Sequence, residues 1–210
     1  TSSPALARRR PVEAAPGEAW EQIADKPNLD VVLGHPGDLR REDADFIAAL
    51  LANSVLGAST LSSRLGQRIR DREGLTYGVI SRFFGASLVD GPWAITFSVA
   101  QHNLKQALAA AREEVERLLQ DGPEETELAD EREAMAGTYR LSLATPGGLA
   151  RELSRLARHR LPLAKLDELP GEVLGTSREA VLAAARRHLS PAQLSMAVAG
   201  DLVDPRSEPD

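Results

Sequence analysis

The sequence predicts an α+β fold: a mainly antiparallel sheet with helices packed on one face. Three observations carry this reading. Strand-like runs sit at 28–33, 77–84 and 93–99 and return only near the end of the chain; between 104 and 188 the apolar residues recur at helical spacing; and the strands are not interleaved one by one with helices, as a parallel sheet would require. The element order is β-α-α-β-β, a run of helices, then β. The chain shows no repeat with a period of about 20 to 50 residues. With 210 residues and 42% hydrophobic content, one core can bury about 70% of the unfolded surface. The expected boundaries are a linker or frayed terminus at 1–17, where Arg8, Arg9 and Arg10 lie among Pro4, Pro11 and Pro16, a single domain at 18–203, and a disordered tail at 204–210.

Asn28 to Leu33 reads as a strand ending at Gly34, because His35-Pro36-Gly37-Asp38 is loop chemistry, and Glu18 to Ala24 is a weaker strand before it. From Glu42, the residues Phe46, Ala49, Leu50, Val55 and Leu56 repeat at helical spacing and stop at Gly57, the residue expected just past a helix end. Leu61, Leu65 and Ile69 follow at i, i+4 and i+8, with Arg64, Arg68 and Arg72 opposite, so a second helix runs to about Glu73 and Gly74 ends it. Tyr77 to Phe84 and Trp93 to Val99 are aromatic and β-branched runs joined through Gly85, Asp90, Gly91 and Pro92, an antiparallel hairpin.

The helical run begins with Asn103 as N-cap and the stripe Leu104, Ala107, Leu108, Ala111, Val115 and Leu118, ending at Asp121-Gly122. Pro123 falls in the first turn of the next helix, which carries Leu128, Met135 and Tyr139 through Leu143. Thr145-Pro146 opens another through Leu149, Leu153 and Leu156. A short helix follows near Leu166 to Leu174, and Thr176 with Glu179 has the spacing of a capping box before Val181, Leu182 and Ala185. Leu194 to Gly200 alternates with period two and closes the fold as a strand.

Composition removes several chemistries. Without cysteine there is no disulfide, thiolate nucleophile, zinc-thiolate site or iron–sulfur cluster. The histidines are His35, His102, His159 and His188, the nearest two 29 residues apart, so no local zinc motif exists. His35 reads as a loop residue, His102 as one beside a helix start, and His159 and His188 as residues near helix C-termini, where a cation suits the dipole. There is no phosphate-cradling glycine motif and no G-x-S-x-G elbow. A net charge of −6 argues against nucleic acid as a partner. The longest uncharged run, Phe46 to Ser63, carries too many polar residues to cross a bilayer.

The informative stretch is 57–79. Ser63-Arg64-Leu65, Ile69-Arg70, Gly74-Leu75 and Tyr77 realise the pattern S-R-L-x-x-x-[IV]-R-x-x-x-G-L-x-Y, which closely resembles the pitrilysin-like (M16) metallopeptidases, a family that includes the mitochondrial processing peptidases. Leu33 to Gly37 and Leu51 to Gly57 are similar to that family's strand and first helix, and Met196 to Asp201 to its closing strand, so the resemblance covers about residues 20–201. Members are built from paired α+β half-domains, with zinc in one half on an H-x-x-E-H helix. The corresponding helix here reads Ala48-Ala49-Leu50-Leu51-Ala52-Asn53 and has no histidine. The resemblance is therefore to the zinc-free half, which faces the zinc-bearing half across a chamber.

In that half the family uses an arginine near the end of the second helix and a tyrosine seven positions later, a spacing met by Arg70 and Tyr77. By spacing alone, Arg70 would solvate a helix end and Tyr77 would pack in the sheet. The resemblance implies instead a substrate-binding pair that supports the transition state. A guanidinium is a five-donor fork suited to a peptide carbonyl or carboxylate, and a phenol O–H can donate to an oxyanion as charge develops. Arg64 and Arg68, at i and i+4, read as structural or surface charges.

The resemblance implies a chain that is inactive alone, has no catalytic or metal-binding residue of its own, and completes a zinc endopeptidase with an H-x-x-E-H half that lies upstream or in a partner subunit. Zinc is expected in that partner half, and a peptide as substrate. The alternative is a structural or scaffold subunit of the same fold. Relatives occur in the cytoplasm and beyond the inner membrane, so either compartment is open. A further expectation is that substrate adds as a strand to an exposed sheet edge.

Overall fold

The computed structural model describes residues 15–86 and 89–202. Most of the expected linker at 1–17 and all of the expected tail at 204–210 lie outside these residues. The strands are β1 (Glu18–Gln22), β2 (Asn28–His35), β3 (Val79–Phe83), β4 (Trp93–Ala100) and β5 (Ser195–Gly200). They form one sheet in the order β1-β5-β2-β4-β3. The β2–β4, β2–β5 and β3–β4 pairs are antiparallel, as the sequence predicts, and only β1 runs parallel to its neighbour β5.

Period-two patterning decides which face is covered. Leu29, Val31 and Leu33 of β2, Ile95, Phe97 and Val99 of β4, and Met196 and Val198 of β5 are buried on one face, whereas Val32, Thr96 and Ala197 face outward. The helices are α1 (Phe46–Asn53), α2 (Leu104–Asp121), α3 (Glu125–Leu143), α4 (Pro146–His159), α5 (Lys165–Leu174) and α6 (Arg178–His188). Leu51 and Ala52 of α1, Ala111, Val115 and Leu118 of α2, and Val181 and Ala185 of α6 join the sheet's apolar face in one core. Fully burying each larger side chain contributes about 1.5–3 kcal/mol.

Several boundaries differ from expectation. α1 passes directly into a π-helical turn at Ser54–Ala58, and the second helix is a π-helical segment, Gly66–Arg72. Leu65 and Ile69 still point into the core. Gly66 lies against the chain before it: a Cβ there would come within 2.0 Å of the Thr60 carbonyl oxygen. Pro123 precedes the helix instead of entering it; Glu124 is the N-cap and forms a reciprocal capping box with Glu127. Asn103 makes no side-chain cap, because a 3₁₀ turn at Gln101–Asn103 leads straight into α2. The cap of α6 is Ser177, whose hydroxyl accepts the Ala180 N–H; Thr176 donates instead to the Glu172 carbonyl. Thr145 and Pro146 open α4 as predicted.

A buried polar network ties α1 to the hairpin. Asn53 Nδ2 donates to the Ser81 carbonyl at 3.0 Å, and Asn53 Oδ1 accepts from Ser81 Oγ at 2.9 Å and from Trp93 Nε1 at 2.8 Å. All three residues are buried. Each polar side-chain atom has a partner, the condition under which burying it is tolerated.

Candidate functional site

Of the two residues singled out by the sequence, Arg70 lies in the last turn of the π-helical segment and Tyr77 in the turn between that segment and β3. Ile69 and Leu75 are both buried. The Leu75 N–H donates to the Ile69 carbonyl at 2.9 Å and the Gly74 N–H to the Arg70 carbonyl at 3.2 Å. Gly74 has φ of +64°, the left-handed conformation that favours glycine and lets the chain reverse. Beyond it, the Thr76 hydroxyl lies 2.6 Å from the Ser98 carbonyl oxygen of β4 and accepts the Gly78 N–H at 3.2 Å.

The backbone is therefore pinned on both sides of Tyr77 while its side chain is 97% exposed. Tyr77 lies before β3, so it does not pack in the sheet. Its hydroxyl has no hydrogen-bond partner among the described residues, and no hydrogen bond joins it to Arg70. The Arg70 side chain is 36% exposed, and Nη1 donates to Asp71 Oδ1 at 2.7 Å. Beside Tyr77, a shallow groove of about 430 Å³ runs over the open face of the sheet, lined by Thr60, Gly78, Ile80, Thr96 and Ser98 among others.

The neighbouring arginines behave differently. Arg64 is held by the Glu127 carboxylate at 2.8 and 2.6 Å and by the Gly122 carbonyl at 3.0 Å. Arg68 pairs with Glu73 and, at 3.0 Å, with Glu113; its hydrogen bond to Glu73 holds that carboxyl below the usual range. Both guanidinium groups are spent on structure, and Arg70 keeps its fork at the surface.

The sheet edges are β1 and β3. The Phe84 N–H donates to Pro92 across the hairpin, so alternation turns the polar groups of Val79 and Ser81 away from β4. Their outward carbonyls are taken: Thr60 Oγ1 donates to Val79 at 3.1 Å, and Asn53 to Ser81. Side chains thus already cover β3 where an added strand would bond.

The fold offers no seat for zinc on α1. Its inward positions are Ala48, Ala49, Leu51, Ala52 and Asn53, and the Asn53 amide is fully used by Ser81 and Trp93. Among the described residues, no group of three or more histidine and acidic side chains is placed to hold a metal ion, and no helix is long and apolar enough to cross a membrane.

His35 sits differently from its sequence reading as a loop residue, whereas His188 lies at a helix C-terminus as expected. His35 ends β2 and is buried against Trp93, with ring centroids 5.4 Å apart. Its Nδ1 lies 2.7 Å from the Pro36 carbonyl oxygen and its Nε2 accepts the Ser190 N–H at 3.2 Å, which fixes a neutral tautomer. Burial holds its pKa below the ordinary histidine value, with His188 adding to that effect and the Pro36 carbonyl and Asp38 opposing it. His188 is buried at the end of α6, with Nδ1 2.9 Å from Asp38 Oδ1 and Nε2 3.0 Å from Asp45 Oδ2. No local pattern announced either environment. Asn53 did leave a signal, a lone amide on an otherwise apolar helix face.

Residues 2–135 match the family described as peptidase M16 inactive domain. The chain belongs to that family. A Bacillus subtilis relative described as the uncharacterized zinc protease YmxG is 33% identical over 142 residues, 66% of this chain and 33% of that protein. The peptidase M16 inactive domain of Pseudomonas fluorescens superposes with a TM-score of 0.84 at 27% identity, over 96% of this chain and 48% of that one. A protease from Helicobacter pylori shares the fold, with a TM-score of 0.77 at 15% identity over 95% and 47% of the two chains. This M16 inactive domain spans about half the length of those structural relatives and a third of the Bacillus protein. The expected family and fold are thus in hand, and its domain type is that of zinc-protease-like proteins.

Proposed function

We propose that this domain is the zinc-free wall of a peptidase chamber, in which Arg70 and Tyr77 contact a peptide held by an H-x-x-E-H half on the same chain or on a partner. The observation that carries the reading is Tyr77, a phenol almost wholly in solvent on a backbone fixed by Thr76, Gly74 and Leu75. Exposing an aromatic ring on a rigid turn does nothing for the core, and it leaves an O–H donor ready for another molecule. Arg70, in the last turn of the π-helical segment, can donate through the guanidinium N–H groups not bonded to Asp71 to a peptide carbonyl or carboxylate. The groove beside Tyr77 gives an extended peptide a path over the open sheet face.

In this arrangement the attack on the peptide bond takes place in the other half, where zinc is expected. Tyr77 donates to the carbonyl oxygen as negative charge builds on it, and Arg70 fixes the peptide's position. The domain is inactive alone.

The test is to assemble the domain with its H-x-x-E-H half and measure kcat/KM on an unstructured peptide. Tyr77→Phe and Arg70→Ala are each expected to lower it by about 10²–10³. Unchanged values in both variants, with assembly intact, would exclude these roles and leave a scaffold function for the domain.

A further inference from the structure

On the helical side, α1, α5 and α6 and the end of α4 enclose an open cavity of about 940 Å³. Neither Arg70 nor Tyr77 lines it, and nothing in the proposed peptidase role uses it. Its apolar wall includes Phe46, Ile47, Leu161 and Leu169. Its cations are Arg41, Arg155, Lys165 and Arg187, and three of them are neutralised locally. Arg155 pairs with Glu152 at 2.5 Å, Lys165 with Glu168 at 3.0 Å and with Glu172, and Arg187 with Asp45 at 3.1 Å.

Arg41 is the exception. Its guanidinium stacks over the Phe46 ring, 5.0 Å from the centroid, and makes no hydrogen bond or ion pair among the described residues. Burial, then the nearby Arg155, push its pKa down, and Glu152, Tyr139 and Glu172 only partly offset this. A half-buried guanidinium with five unused donors, beside apolar walls, is an unmet demand for an anion. With those three cations paired, Arg41 is the lining cation left without a carboxylate partner among the described residues, a single positive charge. That matches a monoanion better than a phosphate dianion.

From this we infer that the cavity binds an amphiphilic monocarboxylate, with the carboxylate on the Arg41 fork and an aliphatic chain along Phe46, Ile47 and Leu169. Two sources present this chemistry, a free fatty acid and the carboxyl end of an apolar peptide.

Calorimetric titration of the chain with octanoate and with 1-octanol tests the charge requirement. Octanoate is expected to bind saturably at one site and at least tenfold more tightly than the alcohol. Arg41→Gln removes that preference, and Arg41→Lys keeps part of it. Ala180→Trp, at an exposed α6 position lining the cavity, weakens octanoate without touching Arg41, which keeps the test informative if Arg41→Gln misfolds. An acetylated tri-leucine peptide with a free carboxylate, run beside its C-terminal amide, separates the sources: an acid-specific gain over octanoate identifies a peptide end, and its absence a fatty acid. Equal binding of octanoate and octanol, unchanged octanoate affinity in Arg41→Gln, or no saturable octanoate binding would each overturn the inference.

Discussion

Two polar clusters adjoin β3, one within it through Ser81 and one just before it, and they treat their side chains in opposite ways. In the first, Asn53, Ser81 and Trp93 are buried and pair wholly with one another. In the second, Thr76 and the backbone of Gly74 and Leu75 form a tight turn, yet the side chain it presents, Tyr77, touches almost nothing. The contrast separates two uses of polarity. A satisfied network selects one packing of helix on hairpin, whereas a fixed backbone under a free side chain adds nothing to the packing of the domain.

The largest expected effect falls on the buried cluster. Asn53→Leu leaves Trp93 Nε1 and Ser81 Oγ without their acceptor inside the core, and is expected to cost about 2–4 kcal/mol, lowering Tm by roughly 5–15 °C. Urea unfolding followed by tryptophan fluorescence reads this directly. A loss under about 1 kcal/mol would mean that the network relaxes as freely as the surface and would dissolve the contrast.

A milder perturbation acts at His35, which packs on Trp93 at the edge of that cluster. Its folded pKa is depressed, so the unfolded chain binds a proton more readily. The stabilisation is present above the ordinary histidine pKa of about 6.5 and is lost as pH falls from there through the folded value. Tm is therefore expected to drop between pH 7.5 and pH 5.5, and the drop should shrink in His35→Gln. The neighbouring Asp38, Asp45 and His188 are common to both proteins, so the difference reports His35 together with its electrostatic coupling to Asp38 and His188. An identical acid response in the variant would refute the assignment.

The smallest effects belong to the exposed cluster. Tyr77→Phe and Arg70→Ala should each change stability by no more than about 0.5 kcal/mol, measurable in the same urea experiment. A loss above about 1 kcal/mol in either would show that the turn depends on those side chains and would weaken the case for an external ligand.

Much of the fold was legible because periodicity is local. The β5 pattern and the α2 and α4 stripes were read from spacing, β4 from its aromatic and β-branched run and β2 from the loop residues that follow it, and Thr145 and Pro146 marked the start of α4. The π-helical segments were not legible, since Leu65 and Ile69 fit an α-helix as well as they fit the observed winding, whereas Leu61 of the same expected stripe lies before the segment and is exposed. The caps slipped by a residue where neighbours compete: Thr176 and Ser177 both carry hydroxyls, and Thr176 turned back to Glu172. The surroundings of His188 were out of reach because Asp38 and Asp45 lie far away in sequence. Arg70 and Tyr77 could be found from the family pattern, but the exposure of Tyr77 could not, because its aromatic ring reads as strand.

The covering of β3 has a consequence for the domain in solution. With Thr60 and Asn53 sealing one margin of the sheet, the margin left for growth among the described residues is β1, which is exposed along its whole length and carries Trp20. Self-association through edge-to-edge pairing is thereby confined to one strand and one direction, and a lysine or proline placed there is the economical way to keep the isolated domain monomeric.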